Sequence, residues 1–250
     1  MLMKSSQESG VLNFIAGFVE LVTNVLALAT SFNPKLERIK TQNLQASLTQ
    51  MNTLQAEAVA LDGQYRNAVA SRKAIYAPIP KLVTRVTNAF LLTDADPNLK
   101  ANFKAVAAKF RSSSKPATAG ATASKAKATD DAATSELPKK HSTAQTGFDS
   151  IPGHLNRMIS YIETVPSYDP AETDISLSAL KDLSARCTQS NLVVMEVASK
   201  YNMARDRRDD FLYNKSTGLN VVAQEVKKYV KSAYGADSDI FKRINAIRLK

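Results

Sequence analysis

KLERIKTQNLQASLTQMNTLQAEAVALDGQYRNAVASRKAIY, residues 35–76, holds no proline and a single glycine, Gly63. Met51, Leu54, Ala58, Leu61, Tyr65, Ala68, Arg72 and Ile75 succeed one another at steps of three and four. That spacing returns to one side of an α-helix at every turn and makes a seam of the coiled-coil kind. A helix over the whole stretch is about 60 Å long at 1.5 Å per residue. Pro78 and Pro80 stop it, because the residue before a proline is steered out of the helical region.

The same pattern returns further along. With Tyr65 set on Tyr201 (201 − 65 = 136), SerPheAsnPro at 31–34 falls on SerTyrAspPro at 167–170 without a gap. Met51, Ala58, Leu61, Ala68, Arg72 and Ile75 then fall on Cys187, Val194, Val197, Ala204, Arg208 and Phe211. Beyond the long helix the offset becomes 230 − 86 = 144, which sets Val86, Ala89 and Phe90 on Val230, Ala233 and Tyr234. The sequence thus predicts an all-α protein: an elongated helical bundle of two repeated three-helix units with pseudo-twofold symmetry. The units are residues 1–110 and 148–250, packed together through their seams.

Shorter helices fill in the rest. Helices are expected over 11–30, 81–92, 98–110, 150–165 and 219–234, with a last one reaching about 247, and the second long helix over 173–213. SerPheAsnPro, AspAlaAspPro (94–97), SerTyrAspPro and GlyAlaAspSer (235–238) mark the turns. Residues 111–147 are rich in Ser, Thr, Ala and Lys and nearly free of large apolar side chains, so they read as a flexible linker.

The stretch 11–30 is long and apolar enough to span a bilayer, and AlaLeuAla near its end is of the signal-cleavage type. Asn13, Gly17, Glu20 and Asn24, spaced 4, 3 and 4, lie on one narrow stripe, and Glu20 is costly in hydrocarbon. Its repeat counterpart, 150–165, carries His154, Asn156, Arg157 and Glu163 and cannot span a membrane. Residues 11–30 are therefore expected to be a bundle helix, in a cytoplasmic protein, with membrane association or export as the alternative.

GLNVVAQEVKKYVKSAYGADSDIFKRI (218–244), the SerTyrAspPro turn and AlaArgAspArgArg at 204–208 resemble a family of uncharacterised bacterial all-helical proteins. The resemblance covers mainly residues 165–250. It implies an α-helical fold and a bacterial origin, and no activity or site.

Chemistry is sparse. The two histidines, His141 and His154, and the lone Cys187 are scattered, so no metal-ligand set or Cys–His pair is suggested, and no phosphate-binding glycine loop, HExxH or GxSxG occurs. A single cysteine forms no internal disulfide. No enzyme, cofactor, metal or small-molecule substrate is implied. The net charge of +10 favours anionic partners. Residues 81–111 carry 6 basic and 2 acidic side chains, 219–250 carry 7 and 3, and 148–198 carry 3 and 7. Each repeat thus ends in a basic hairpin. Arg72 and Arg208 sit on the seam, where a charge needs a partner or a route to water; they are candidates for an interface or an anion site, with Lys227, Lys228 and Lys231 on the last hairpin. The expected function is a non-enzymatic scaffold or protein-interaction module that binds a protein partner or itself. The alternatives are a membrane-active, pore-forming-like protein using 11–30, and nonspecific nucleic-acid binding through the basic hairpins.

Overall fold

The computed structural model describes residues 5–110 and 147–249, with side chains from Ser9 onward. Every regular element among the described residues is helical: α1 (Ser5–Leu26), α2 (Thr41–Tyr76), α3 (Ile79–Leu91), α4 (Pro97–Ala108), α5 (Ser150–Glu163), α6 (Leu177–Tyr213), α7 (Leu219–Tyr234) and α8 (Asp239–Ala246). The protein is all-α. The stretch read as a linker, 111–147, lies outside the described residues except for Gly147.

The long helices begin later than the spacing predicts, at Thr41 and Leu177 rather than near 35 and 173. Short 3-10 turns, Glu37–Ile39 and Thr173–Ile175, come first, and extended backbone at Lys40 and Ser176 separates each turn from its helix. Ile39 and Ile175 are buried, so each turn tucks an isoleucine inward before the helix starts. α2 stops at Tyr76, and Pro80 takes the second position of α3, where no helical hydrogen bond is lost. Asp96 caps α4 by accepting from the backbone N–H of Asn98 at 2.8 Å.

The described packing forms two compact units: residues 1–67 with 196–250, and residues 68–195. They do not follow the division at 110 and 148 read from the sequence. α2 and α6 are 36 and 37 residues long, about 55 Å each, longer than any one small core. Each gives one portion to one unit and the rest to the other.

In the first unit, Phe14, Phe18, Leu21 and Val25 of α1 meet Leu44 and Met51 of α2, Leu212 of α6, Val226 and Val230 of α7, and Ile244 of α8. Phe14 stands edge-on to Tyr213, with ring centroids 5.2 Å apart. α7 packs on the 3-10 turn Glu37–Ile39 and on α8. The stripe assigned to Asn13, Gly17, Glu20 and Asn24 needs correction. Asn13 and Glu20 are exposed, but Gly17 is buried. A Cβ there would lie 2.6 Å from the carbonyl oxygen of Arg248, so glycine admits the C-terminal segment against α1.

In the second unit, Ile79, Val83, Val86 and Phe90 of α3, Phe103 and Val106 of α4, Leu155, Met158 and Ile162 of α5, and Leu180 and Cys187 of α6 form the core. Phe90 and Phe103 stack at 4.0 Å. α3 packs on the turn Thr173–Ile175, and α4 on both α3 and α5. None of the eight seam positions of α2 is exposed, and Met51 and Cys187, equated by the repeat register, are both fully buried.

Candidate functional site

The five residues singled out from the sequence occupy unlike places. Arg208, in the first unit, is 2% exposed. Its Nε and Nη2 donate to Asp209 Oδ1, both at 2.9 Å, and Nη1 donates to Gln55 Oε1 at 3.1 Å. Its neighbour Arg207 pairs with Glu57 at 2.6 Å. α2 and α6 run side by side here, and Tyr65 stacks on Tyr201 with centroids 6.1 Å apart. Arg208 thus spends its donors within the helix pair.

Arg72 belongs to the second unit. Its guanidinium lies 4.1 Å from the centroid of the Phe148 ring, and its buried Nε has no hydrogen-bond partner. The carbonyl of Phe148 accepts from Tyr76 Oη at 2.9 Å and from Asn191 Nδ2 at 2.8 Å, and the Tyr76 hydroxyl lies 3.3 Å from the Cys187 carbonyl. Burial, and then the nearby Cys187, push the Tyr76 phenol up to about 12. Burial also raises the Cys187 thiol above its ordinary value. Both groups stay neutral, and the Tyr76 hydroxyl links α2 to α6 and to the residues just before α5. Sequence spacing did not single out Phe148, because its partners are remote in the chain and it lies at the edge of a polar stretch.

The basic hairpin divides too. Lys227 Nζ donates to the carbonyls of Ile247 at 2.5 Å and Asn245 at 3.2 Å, and burial lowers its pKa. It holds the backbone that follows α8. Lys228 is exposed. Lys231 is exposed too, with its Nζ 5.9 Å from the Phe241 ring centroid. Lys228 and Lys231 can meet an anion directly; Lys227 has its donors turned to its own chain. Nearby, Arg38 pairs with Glu225 and ties the turn before α2 to α7. In the second unit Arg85 holds Asp174, and its Nη2 is 2.9 Å from Oδ1. This pairing keeps the Asp174 carboxyl below its ordinary range.

Two open grooves mark the described surface. One, about 570 Å³, runs between α5 and α6 and is lined by Asn156, Ile159, Lys181, Ser184, Ala185 and Thr188. The other, about 500 Å³, is floored by Phe211, Leu219 and Val222 and edged by Arg38, Asn43 and Gln50. In the first, Lys181 pairs with Glu163 at 2.7 Å and Ser184 donates to Asn156 Oδ1 at 2.6 Å. Among the described residues no three His, Cys, Asp or Glu side chains are placed to hold a metal ion. The chain matches no known family model, no curated protein and no solved structure.

Proposed function

We propose that this chain is a non-enzymatic helical scaffold that works by binding protein. One observation carries the reading. Large apolar side chains stand in water on the outer faces of the helices, with Leu12 55%, Leu192 54%, Met195 65% and Met203 61% exposed, while the polar groups inside are largely spent on one another. Apolar surface left open on such faces is the raw material of a protein interface.

The scaffold reading includes its origin in a duplicated unit. Four features support the repeat. The 3-10 turns Glu37–Ile39 and Thr173–Ile175 are 136 residues apart (173 − 37 = 136). They precede helices of 36 and 37 residues. α7 packs on the first turn and α3 on the second. The equated Tyr65 and Tyr201 stack on each other.

Photo-crosslinking in the native cell tests the reading. A photoreactive residue at Leu192 or at Met203 should trap a protein, and one at exposed Gln64 should not. If none of the apolar positions traps protein, the scaffold reading fails.

A membrane-active role is the second reading, favoured by Ser9–Leu26, which is long and apolar enough to cross a bilayer. Vesicle dye release that survives when α1 is disulfide-locked to α7 would count against it. Nonspecific nucleic-acid binding would rest on Lys228 and Lys231, and should vanish with salt and on changing both to Glu.

A further inference from the structure

We infer that the outer stripe of α1 pairs with the same stripe of a second copy of this chain, antiparallel and centred on Val19. This rests on the scaffold reading and names its partner.

α1 is apolar on two sides. Val11, Phe14, Phe18, Leu21, Val22 and Val25 face inward and are at most 5% exposed. Leu12, Ala16, Val19, Thr23 and Leu26 are exposed, at steps of 4, 3, 4 and 3. That is a heptad seam left uncovered by the described residues of its own unit. Scattered surface leucines need no explanation, but a seam in register over two heptads does.

Charge selects the occupant. The chain carries a net charge of +10, so two copies repel over much of their surface. Alone among the α-helices of the described residues, α1 has no Lys or Arg. Its stripe is uncharged, and Glu20 lies to one flank. Like-charged copies can approach there at least cost. An anionic lipid surface or a nucleic acid finds no cation on it.

The stripe also matches itself. Because 12 + 26 = 19 + 19, a twofold axis at Val19 sets Leu12 against the partner's Leu26 and Val19 against the partner's Val19. Ala16 falls within one residue of the partner's Thr23 (16 + 23 = 39), small near small. Antiparallel helices also oppose their dipoles favourably, and a closed twofold contact is the commonest form of self-association. From Leu12 to Leu26 the stripe is about 21 Å long. A contact of that size belongs to the weak, transient class, so association is expected at concentrations on the order of 100 μM.

Sedimentation equilibrium of the full chain tests this. With rising concentration the mass should climb from 27.2 kDa towards twice that value. Val19→Glu and Ala16→Glu, both at exposed positions, should each weaken association at least about 10-fold, a loss of about 1.4 kcal/mol or more, with thermal melting unchanged. Lys228→Glu should leave association intact. Under mild oxidation, Leu12→Cys chains mixed with Leu26→Cys chains should link to each other more readily than either links to itself, and buried Cys187 should not compete. A chain that stays monomeric up to about 500 μM, or association that Val19→Glu and Ala16→Glu leave untouched, overturns the inference. Leu12→Cys linking to itself as readily as to Leu26→Cys overturns the antiparallel register. Flotation with phosphatidylcholine vesicles that Val19→Glu abolishes, in a chain otherwise monomeric, gives the stripe to lipid instead. If the chain is monomeric while crosslinking at Leu192 or Met203 still traps protein, this inference falls and the scaffold reading stands.

Discussion

Two glycines on helices should respond in opposite ways to the same methyl group. At Gly17 a Cβ would meet the Arg248 carbonyl oxygen at 2.6 Å and Leu249 Cδ2 at 3.1 Å, so α1 or the segment lying on it must move. Gly17→Ala is expected to cost about 1–3 kcal/mol. Gly63 has nothing within 4 Å of that position, and alanine there should gain about 0.5–1 kcal/mol by restricting the unfolded chain and favouring the helix. Urea denaturation of the two variants should move the midpoint in opposite directions. His154 gives a pH-dependent case. Its Nε2 is buried without a hydrogen-bond partner, its ring stands edge-on to Phe110 at 5.8 Å, and burial, then Lys109 and Arg157, lower its pKa from 6.5. As pH falls below about 6.5, the unfolded chain takes this proton first. Stability is therefore lost until pH passes below the folded pKa, where the loss levels off. His154→Gln should lose less stability than the wild type between about pH 7 and 5; equal losses in the two proteins would refute this.

At the scale of elements, the carbonyl of Phe148 shows how α2 and α6 hold the start of α5. It accepts two hydrogen bonds, from Tyr76 and Asn191. Tyr76→Phe alone leaves one of them, and the expected cost is about 0.5–1.5 kcal/mol. Tyr76→Phe with Asn191→Leu leaves a half-buried acceptor without either partner, so the double variant should lose more than the sum of the singles. A double-mutant cycle by thermal unfolding measures the excess. The long helices themselves were legible in the sequence, because seam residues at steps of three and four are local facts: Met51, Ala58, Cys187, Val194 and Ala204 are all buried. Their starts were not, since the 3-10 turns ahead of Thr41 and Leu177 depend on Ile39 and Ile175 finding cores built by other helices. The burial of Gly17 on the stripe of polar and small residues, and the inward turn of Lys227, escape the sequence for one physical reason. What each touches is the segment after α8, and no local spacing reveals which remote backbone will arrive.

For the molecule as a whole, the interleaving of the units sets the consequence of a break. A site-specific protease site inserted after Ser124 and then cut should leave two pieces that elute together with their helical circular dichroism intact. The first unit needs 1–67 and 196–250, and the second draws on helices from both sides of the cut. Separation of the pieces as folded monomers would refute this account. The same interleaving bears on synthesis, which runs from the N-terminus. Residues 68–195 form one compact unit, so on the ribosome that unit can close first, although it is second along the chain. α1 must wait, because Leu212, Leu219, Val226, Val230 and Ile244, which pack in one core with Phe14 and Phe18, are translated after it. The most apolar helix among the described residues is thus a nascent segment whose inner face stays uncovered until residues about 200 positions further on emerge.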